Sequence, residues 1–245
     1  MPAANIGGTA VWLGMDKPIE ELKREAAEAA IDSLESGMVV GLGSGSTAYY
    51  AVMDLGMRLA EGSLTDIVGI PTSEATARLA RQQHIPLSTL DKHPVVDVTI
   101  DGADEIDPQL NLIKGLGHSL LREKIVVSTT ERFIVISDHR KLVDQLGTIA
   151  PVPVEVIQFA KRPVSDYLKA LGCRPILRQQ DGQARITDEG NIILDCYFEE
   201  IENPFQLASA IRKQPGVVEH GFFLEMASEA YVAAPNGVQH LTRGW

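Results

Sequence analysis

Apolar residues Met38, Val39 and Val40 run straight into the segment GLGSGSTA at 41–48, and apolar periodicity resumes at once in Ala48, Ala51 and Val52. A buried strand, a turn of residues with small side chains and an amphipathic helix, in that order, form the repeating unit of an α/β sheet. The same turn makes a cradle for an anion, because the first amides of the helix have no partner of their own and point into it. Gly41, Gly43 and Gly45 allow positive φ and close backbone approach, while Ser44, Ser46 and Thr47 add hydroxyl donors. A Walker loop needs Gly-Lys-Ser/Thr at its end, and a dinucleotide fingerprint needs its third glycine where Ser46 stands, so neither ATP nor NAD is favoured. Two readings stay open from this segment: a phosphate site, or a tight turn without a ligand.

The rest of the first half repeats the alternation. Helical spacing of Ile19, Leu22, Ala26, Ala29 and Ala30 predicts a helix over 19–34, stopped by Gly37. A helix to Glu61, a strand at 66–70, a helix through Gln83, a strand at 94–100 and a strand at 132–137 follow. Strands separated by helices predict a Rossmann-like parallel sheet flanked by helices, with ligands gathered beyond the carboxyl ends of its strands. After Pro151 and Pro153 the pattern changes to strand 152–157, helix 162–171, strand 174–179, strand 191–197, helix 204–213 and strand 217–224. That β-α-β-β-α-β order predicts a second, smaller α+β unit of the split, ferredoxin-like kind. The expected division is a loosely ordered extension at 1–15, a catalytic domain at 16–150 and 225–245, and the smaller domain at 151–224. The final apolar piece at 231–234 is expected to return to the first sheet.

The chain has 245 residues, enough for one large core or two modest ones, and a formal charge of −11. An acidic balance argues against nucleic acid or an anionic membrane as partner, so an anionic small ligand must be met by a few placed cations. No apolar run approaches the roughly 20 residues that span a bilayer, and residues 1–15 lack the pattern of a secretory signal. Cys173 and Cys196 make no disulfide framework, and reduced thiols in a cytoplasmic protein are the expectation.

Two further motifs carry chemistry. In DGADEID, Asp101 and Asp104 stand where an apolar strand ends, and carboxylates at a cleft mouth serve as acid/base or hydroxyl-binding groups; an acidic, helix-capping turn is the plain alternative. Ala103 and Ile106 break the pattern of a calcium loop. In KGLGHSLLREK, Lys114 precedes Gly115 and Gly117, which permit exposed amides, and Glu123 falls into or just past a helix start. Lys114 alone would read as a solvated surface lysine; a cation, an amide-rich loop and a carboxylate within ten residues read as an acid-base site.

In order and spacing, GLGSGSTA, PTSEAT, DGADEID, KGLGHSLLREK and SDHRKLVDQLG resemble the ribose-5-phosphate isomerases of the A type, and TDEGNIILD and PGVVEHGFF continue the resemblance. It implies a phosphate site drawn from Lys23, Ser44, Gly45, Ser46, Thr47 and Lys141, with Gly115 and Gly117 in the substrate loop. It implies catalytic roles for Asp101, Asp104, Lys114 and Glu123, with no metal and no organic cofactor. The implied substrate is a sugar phosphate, the implied assembly a homodimer or homotetramer, and the implied setting pentose-phosphate metabolism or carbon fixation. The family has KGGG where this chain has Lys114, Gly115, Leu116 and Gly117, followed by His118. Positive φ at Leu116 would carry about a kcal/mol or more of strain. His118 reads as a polar loop residue ahead of an acid/base. A sugar-phosphate sensor and a coenzyme A transferase-like enzyme with Glu123 as nucleophile are the rival functions on such a fold.

Overall fold

The computed structural model describes residues 17–243; the extension expected at 1–15, with Trp12, lies outside the described residues. In chain order the elements are α1 (Ile19–Ile31), β1 (Val39–Leu42), α2 (Ser46–Glu61), β2 (Val68–Pro71), α3 (Glu74–Gln82), β3 (Val96–Gly102), β4 (Glu105–Ile106), β5 (Leu112–Ile113), α4 (Leu120–Ser128) and β6 (Thr130–Asp138). Then come β7 (Val152–Val156), α5 (Lys161–Ala170), β8 (Arg174–Leu177), β9 (Gln179–Gln180), β10 (Gln183–Ala184), β11 (Ile192–Tyr197), α6 (Pro204–Arg212), β12 (Val217–His220), β13 (Phe222–Phe223), β14 (Glu229–Ala234) and β15 (Gly237–Thr242).

The large sheet runs β15-β14-β6-β3-β1-β2. Its pairings from β2 through β14 are parallel, and β15 closes one edge as the antiparallel arm of a hairpin. The expected return of 231–234 to this sheet is β14 beside β6. Alternation along β6 shows why the strands read as continuous apolar runs. Ile134 and Ile136 enter the core built with α1 and α2, while Phe133 and Val135 enter the one on the opposite face. Alternation in β3 has the same consequence: Val98 and Ile100 pack toward α1 and α2, so Asp101 points to the other face, where α4 lies.

The second sheet, β12-β7-β11-β8, packs α5 and α6 on one face in the split β-α-β-β-α-β arrangement, with Val152, Val154, Val156, Val164, Leu168, Ile192, Leu194 and Ile211 in its core. One expected strand, 217–224, is two strands. It breaks at Gly221, which is glycine because a Cβ there would lie 2.3 Å from the Lys114 carbonyl oxygen and 2.6 Å from Pro153. After the break, β13 pairs with β5, which pairs with β4. This small third sheet links the two larger ones: β5 leads into the loop that starts at Lys114, and β13 takes the chain from β12 back toward β14. Among the described residues no helix is long and apolar enough to cross a membrane.

Candidate active site

A cavity of about 280 Å³ opens at the carboxyl ends of β1, β3 and β6, where an open α/β sheet holds ligands. One end is cationic and amide-rich, with Gly45, Ser46 and Thr47 at the start of α2 beside Lys23, Arg140 and Lys141. Gly45 caps α2 at φ +94° without any side-chain cap, so the first amides of the helix are left for a ligand. The three glycines of this loop divide the work differently from the sequence expectation. Only Gly45 takes positive φ, whereas Gly41 lies inside β1 and Gly43 is needed because a Cβ would meet the Asp101 backbone Cα at 2.6 Å. Hydroxyls brace the loop from α3 and the turn before it. Thr72 Oγ1 donates to the Leu42 carbonyl and Thr76 Oγ1 to the Gly43 carbonyl, both at 2.9 Å, and Ser44 Oγ lies 2.8 Å from Thr72 Oγ1.

Lys141 closes this end from the single turn after β6, where the Asp138 side chain accepts from the Arg140 amide. Lys23, from α1, also reaches the cavity and pairs with Glu20 at 2.7 Å. Arg140 joins them, held by Asp138 at 2.7 Å. Neither Asp138 nor Arg140 was singled out by sequence reasoning, although both stand in the SDHRKLVDQLG segment; a cation already paired to its near neighbour carries no distinct sequence signal.

The other end holds the acid-base groups. Lys114 Nζ is 2.9 Å from Asp101 Oδ2, 3.2 Å from Glu123 Oε2 and 2.5 Å from the Gly102 carbonyl, with its side chain 3% exposed. Burial alone would push Lys114 down, but the carboxylates of Asp101 and Glu123 more than reverse that and hold it cationic. Glu123 sits on the buried face of α4. Burial raises its carboxyl to about 8, against the pull of Lys114 and with Asp101 adding to the rise. Asp104 is also raised by burial, opposed by the Leu116 amide, which donates to its Oδ2 at 2.9 Å, and by Lys114.

Glu123, Asp104, Lys114, Gly115, Gly117, Lys23, Ser44, Gly45, Ser46, Thr47 and Lys141 all line the one cavity. Asp101 does not. Strand β3 continues through Gly102, so Asp101 is an in-strand residue, wholly buried, accepting from the Ser44 and Gly102 amides at 2.9 and 2.7 Å and touching Lys114 from beneath. In the 114–118 loop the strain expected at Leu116 falls elsewhere: Gly115 has φ +112° and His118 φ +80°, while Leu116 stays outside that region and is exposed. His118 turns away from the cavity and is buried beside Thr187 and Asp188, where burial pushes its imidazole pKa down. The Leu116 amide is committed to Asp104. Among the described residues no group of three or more His, Cys, Asp or Glu is placed to hold a metal ion.

A family model described as ribose 5-phosphate isomerase A (phosphoriboisomerase A) matches residues 68–237. The chain belongs to this family. It is 53% identical over 220 residues to the ribose-5-phosphate isomerase A of Roseiflexus castenholzii, covering 89% of this chain and 94% of that protein. It is 47% identical over 231 residues to a probable ribose-5-phosphate isomerase 3, chloroplastic, of Arabidopsis thaliana, covering 91% of this chain and 84% of that one. Among solved structures, the ribose 5-phosphate isomerase of Plasmodium falciparum superposes with a TM-score of 0.90 at 39% identity, covering 92% of this chain and all (100%) of that one. A D-ribose-5-phosphate isomerase in complex with phospho-erythronic acid gives 0.91 at 41% identity, covering 93% and 100%.

Within the isomerase A family frame, one contact was invisible to sequence reasoning. Arg178, just after β8, donates from Nη1 to the Gly115 carbonyl at 2.6 Å, and no local motif marks a residue that reaches a site 63 positions away through a second sheet.

Proposed function

We propose that this pocket interconverts D-ribose 5-phosphate and D-ribulose 5-phosphate by proton transfer through a cis-enediolate. The observation that carries the reading is the buried Lys114, ion-paired to Glu123 at one end of a cavity whose other end is the uncapped start of α2. The substrate phosphate takes the α2 amides with Lys23 and Lys141, and this grip, remote from the chemistry, holds carbons 1 and 2 against Glu123. Ionised Glu123 removes the proton from carbon 2 of the open-chain aldose and returns it to carbon 1. A second proton passes from oxygen 2 to oxygen 1, and Asp104 is the cavity carboxyl suited to carry it. Lys114 stabilises the charge that develops on oxygen between the two transfers. Asp101 acts through Lys114, keeping its ammonium charged and aimed. A solved relative holds phospho-erythronic acid, a phosphorylated sugar acid, which supports a site that grips a short phosphorylated chain.

Identity of 53% to an isomerase across most of the chain favours this reaction, a step of the non-oxidative pentose phosphate pathway, over a sugar-phosphate sensor or a coenzyme A transferase-like enzyme. The same reading makes residues 16–150 with 225–245 a catalytic domain and 151–224 a smaller domain, supported by an apolar core drawn almost wholly from 146–222. It also makes the enzyme a cytoplasmic homodimer or homotetramer, for which exposed Phe159 and Ile149 offer apolar surface. The test is an assay for ribulose 5-phosphate formed from ribose 5-phosphate with a chelator present. Product formation supports the reading, and a folded protein without it overturns the assignment.

A further inference from the structure

We infer that Arg178, carried by the smaller sheet, is a positioning residue for the isomerase site, holding the 114–118 loop so that the Leu116 amide fixes the Asp104 carboxylate at the cavity. The inference rests on the isomerase reading and goes beyond it by making the site depend on a side chain from the second sheet.

The Arg178 side chain is 10% exposed and its guanidinium is fully employed along one edge. Nε donates to Asp195 Oδ2 at 3.0 Å and Nη2 donates to Asp195 Oδ1, a two-point fork that fixes the plane of the group. Asp195 lies on β11, paired with Ile176 of β8, so the fork is anchored in the sheet itself. Nη1 then reaches the Gly115 carbonyl at 2.6 Å and lies 3.4 Å from that of Leu116. The next link is the Leu116 amide on Asp104 Oδ2 at 2.9 Å. A continuous relay thus runs from β11 through Arg178 and the single Gly115–Leu116 peptide group to a carboxylate of the cavity.

The loop needs such a hold. It reverses at Gly115 and again at His118, a non-glycine residue at positive φ, and Leu116 between them is exposed, so side-chain packing does little to fix its peptide planes. Lysine could not do the same work, because a single ammonium cannot grip a carboxylate at two points and a carbonyl at a third. The phosphate end of the cavity is built from other elements, which predicts where the effect is felt.

The test compares the full-length enzyme with R178A, R178K and D195N in the ribose 5-phosphate assay. The expected result is a fall in kcat of about 10- to 100-fold with KM changed by less than about twofold, since misplacing a reacting group by an ångström costs on that order. In D104N, adding R178A should cost less than about a further threefold, because the relay ends at Asp104. Methylguanidinium, and not methylammonium, should restore part of the R178A rate. Losses confined to KM, or R178A and D104N effects that multiply independently, overturn the inference while leaving the isomerase reading intact. A parent enzyme without isomerase activity overturns both. If R178A does not fold, R178K and D195N carry the same comparison with charge or shape retained.

Discussion

Glu123 joins two demands that water would keep apart, a carboxylate basic enough to take a proton from carbon and one that is ionised while buried. Burial supplies the basicity by raising the group to about 8, and Lys114 at 3.2 Å supplies the counter-charge. Glu123→Gln keeps the shape and removes the base, so turnover should fall at least about a hundredfold while binding of ribose 5-phosphate persists, a pair of results read by steady-state kinetics and by calorimetry. Near-parental turnover would end the role given to this residue. The raised carboxyl also sets the pH dependence. The active form is the ionised one, so kcat should climb as pH rises through neutrality, far above the ordinary carboxylate range. A saturated-substrate profile that is flat between about pH 6.5 and 9 would contradict it. For stability the sign is opposite. The folded state holds this proton more tightly than the unfolded chain, so the contribution is present below the ordinary value of 4.5 and is lost as pH rises through about 8.

At the scale of elements, the glycine loop shows how a motif can be legible while its parts are misassigned. GLGSGSTA marks a strand, a turn and a helix, and that is what β1, the loop and α2 are. The sequence cannot show that Gly43 is small for the sake of Asp101, because the contact is made across two strands, at 2.3 Å from the carboxylate to the position of a Cβ. The burial of Asp101 is hidden for a related reason: polar residues blur a strand's end, and β3 runs on to Gly102 beneath the cavity. Gly43→Ala should therefore misplace Asp101 and Lys114 together, lowering kcat sharply and the thermal midpoint as well, whereas Gly117→Ala, whose Cβ would stand 3.9 Å from Gly45, should leave the midpoint close to the parent's. That Lys23, Lys141 and the start of α2 meet in one cavity was legible because the resemblance already included all three. Lys23→Ala and Lys141→Ala should each weaken ribose 5-phosphate binding by about tenfold or more, leaving the weak interaction with free ribose unchanged, as expected for charge-assisted contacts to phosphate. Unchanged discrimination between the two sugars in both variants would move the phosphate elsewhere in the cavity.

On the scale of the molecule, the two sheets are joined by a stretch that one buried carboxylate grips at three amides. Glu105, in the DGADEID segment, is fully buried and turned toward the connection. Its Oε2 accepts from the Gly147 amide at 2.5 Å, and its Oε1 accepts from the Ile149 and Ala150 amides at 2.5 and 2.6 Å. Those residues lead directly into β7, the strand at the heart of the second sheet. The carboxylate therefore replaces the missing strand partners of three amides that face its own buried position, where unpaired donors would be costly. Neutral glutamine can accept with one oxygen only, and its amide group would place a donor against a donor. Glu105→Gln should thus cost about 3 kcal/mol or more, and Glu105→Ala at least as much, since each leaves amides stranded that a charged acceptor had held. Urea unfolding measures this as a lowered midpoint. At low urea, with the protein still folded, the affinity for ribose 5-phosphate should remain near the parent value, because the proposed phosphate grip is built from α1, the start of α2 and the turn after β6. A midpoint equal to the parent's would show that the connection is held by packing, and that Glu105 is replaceable.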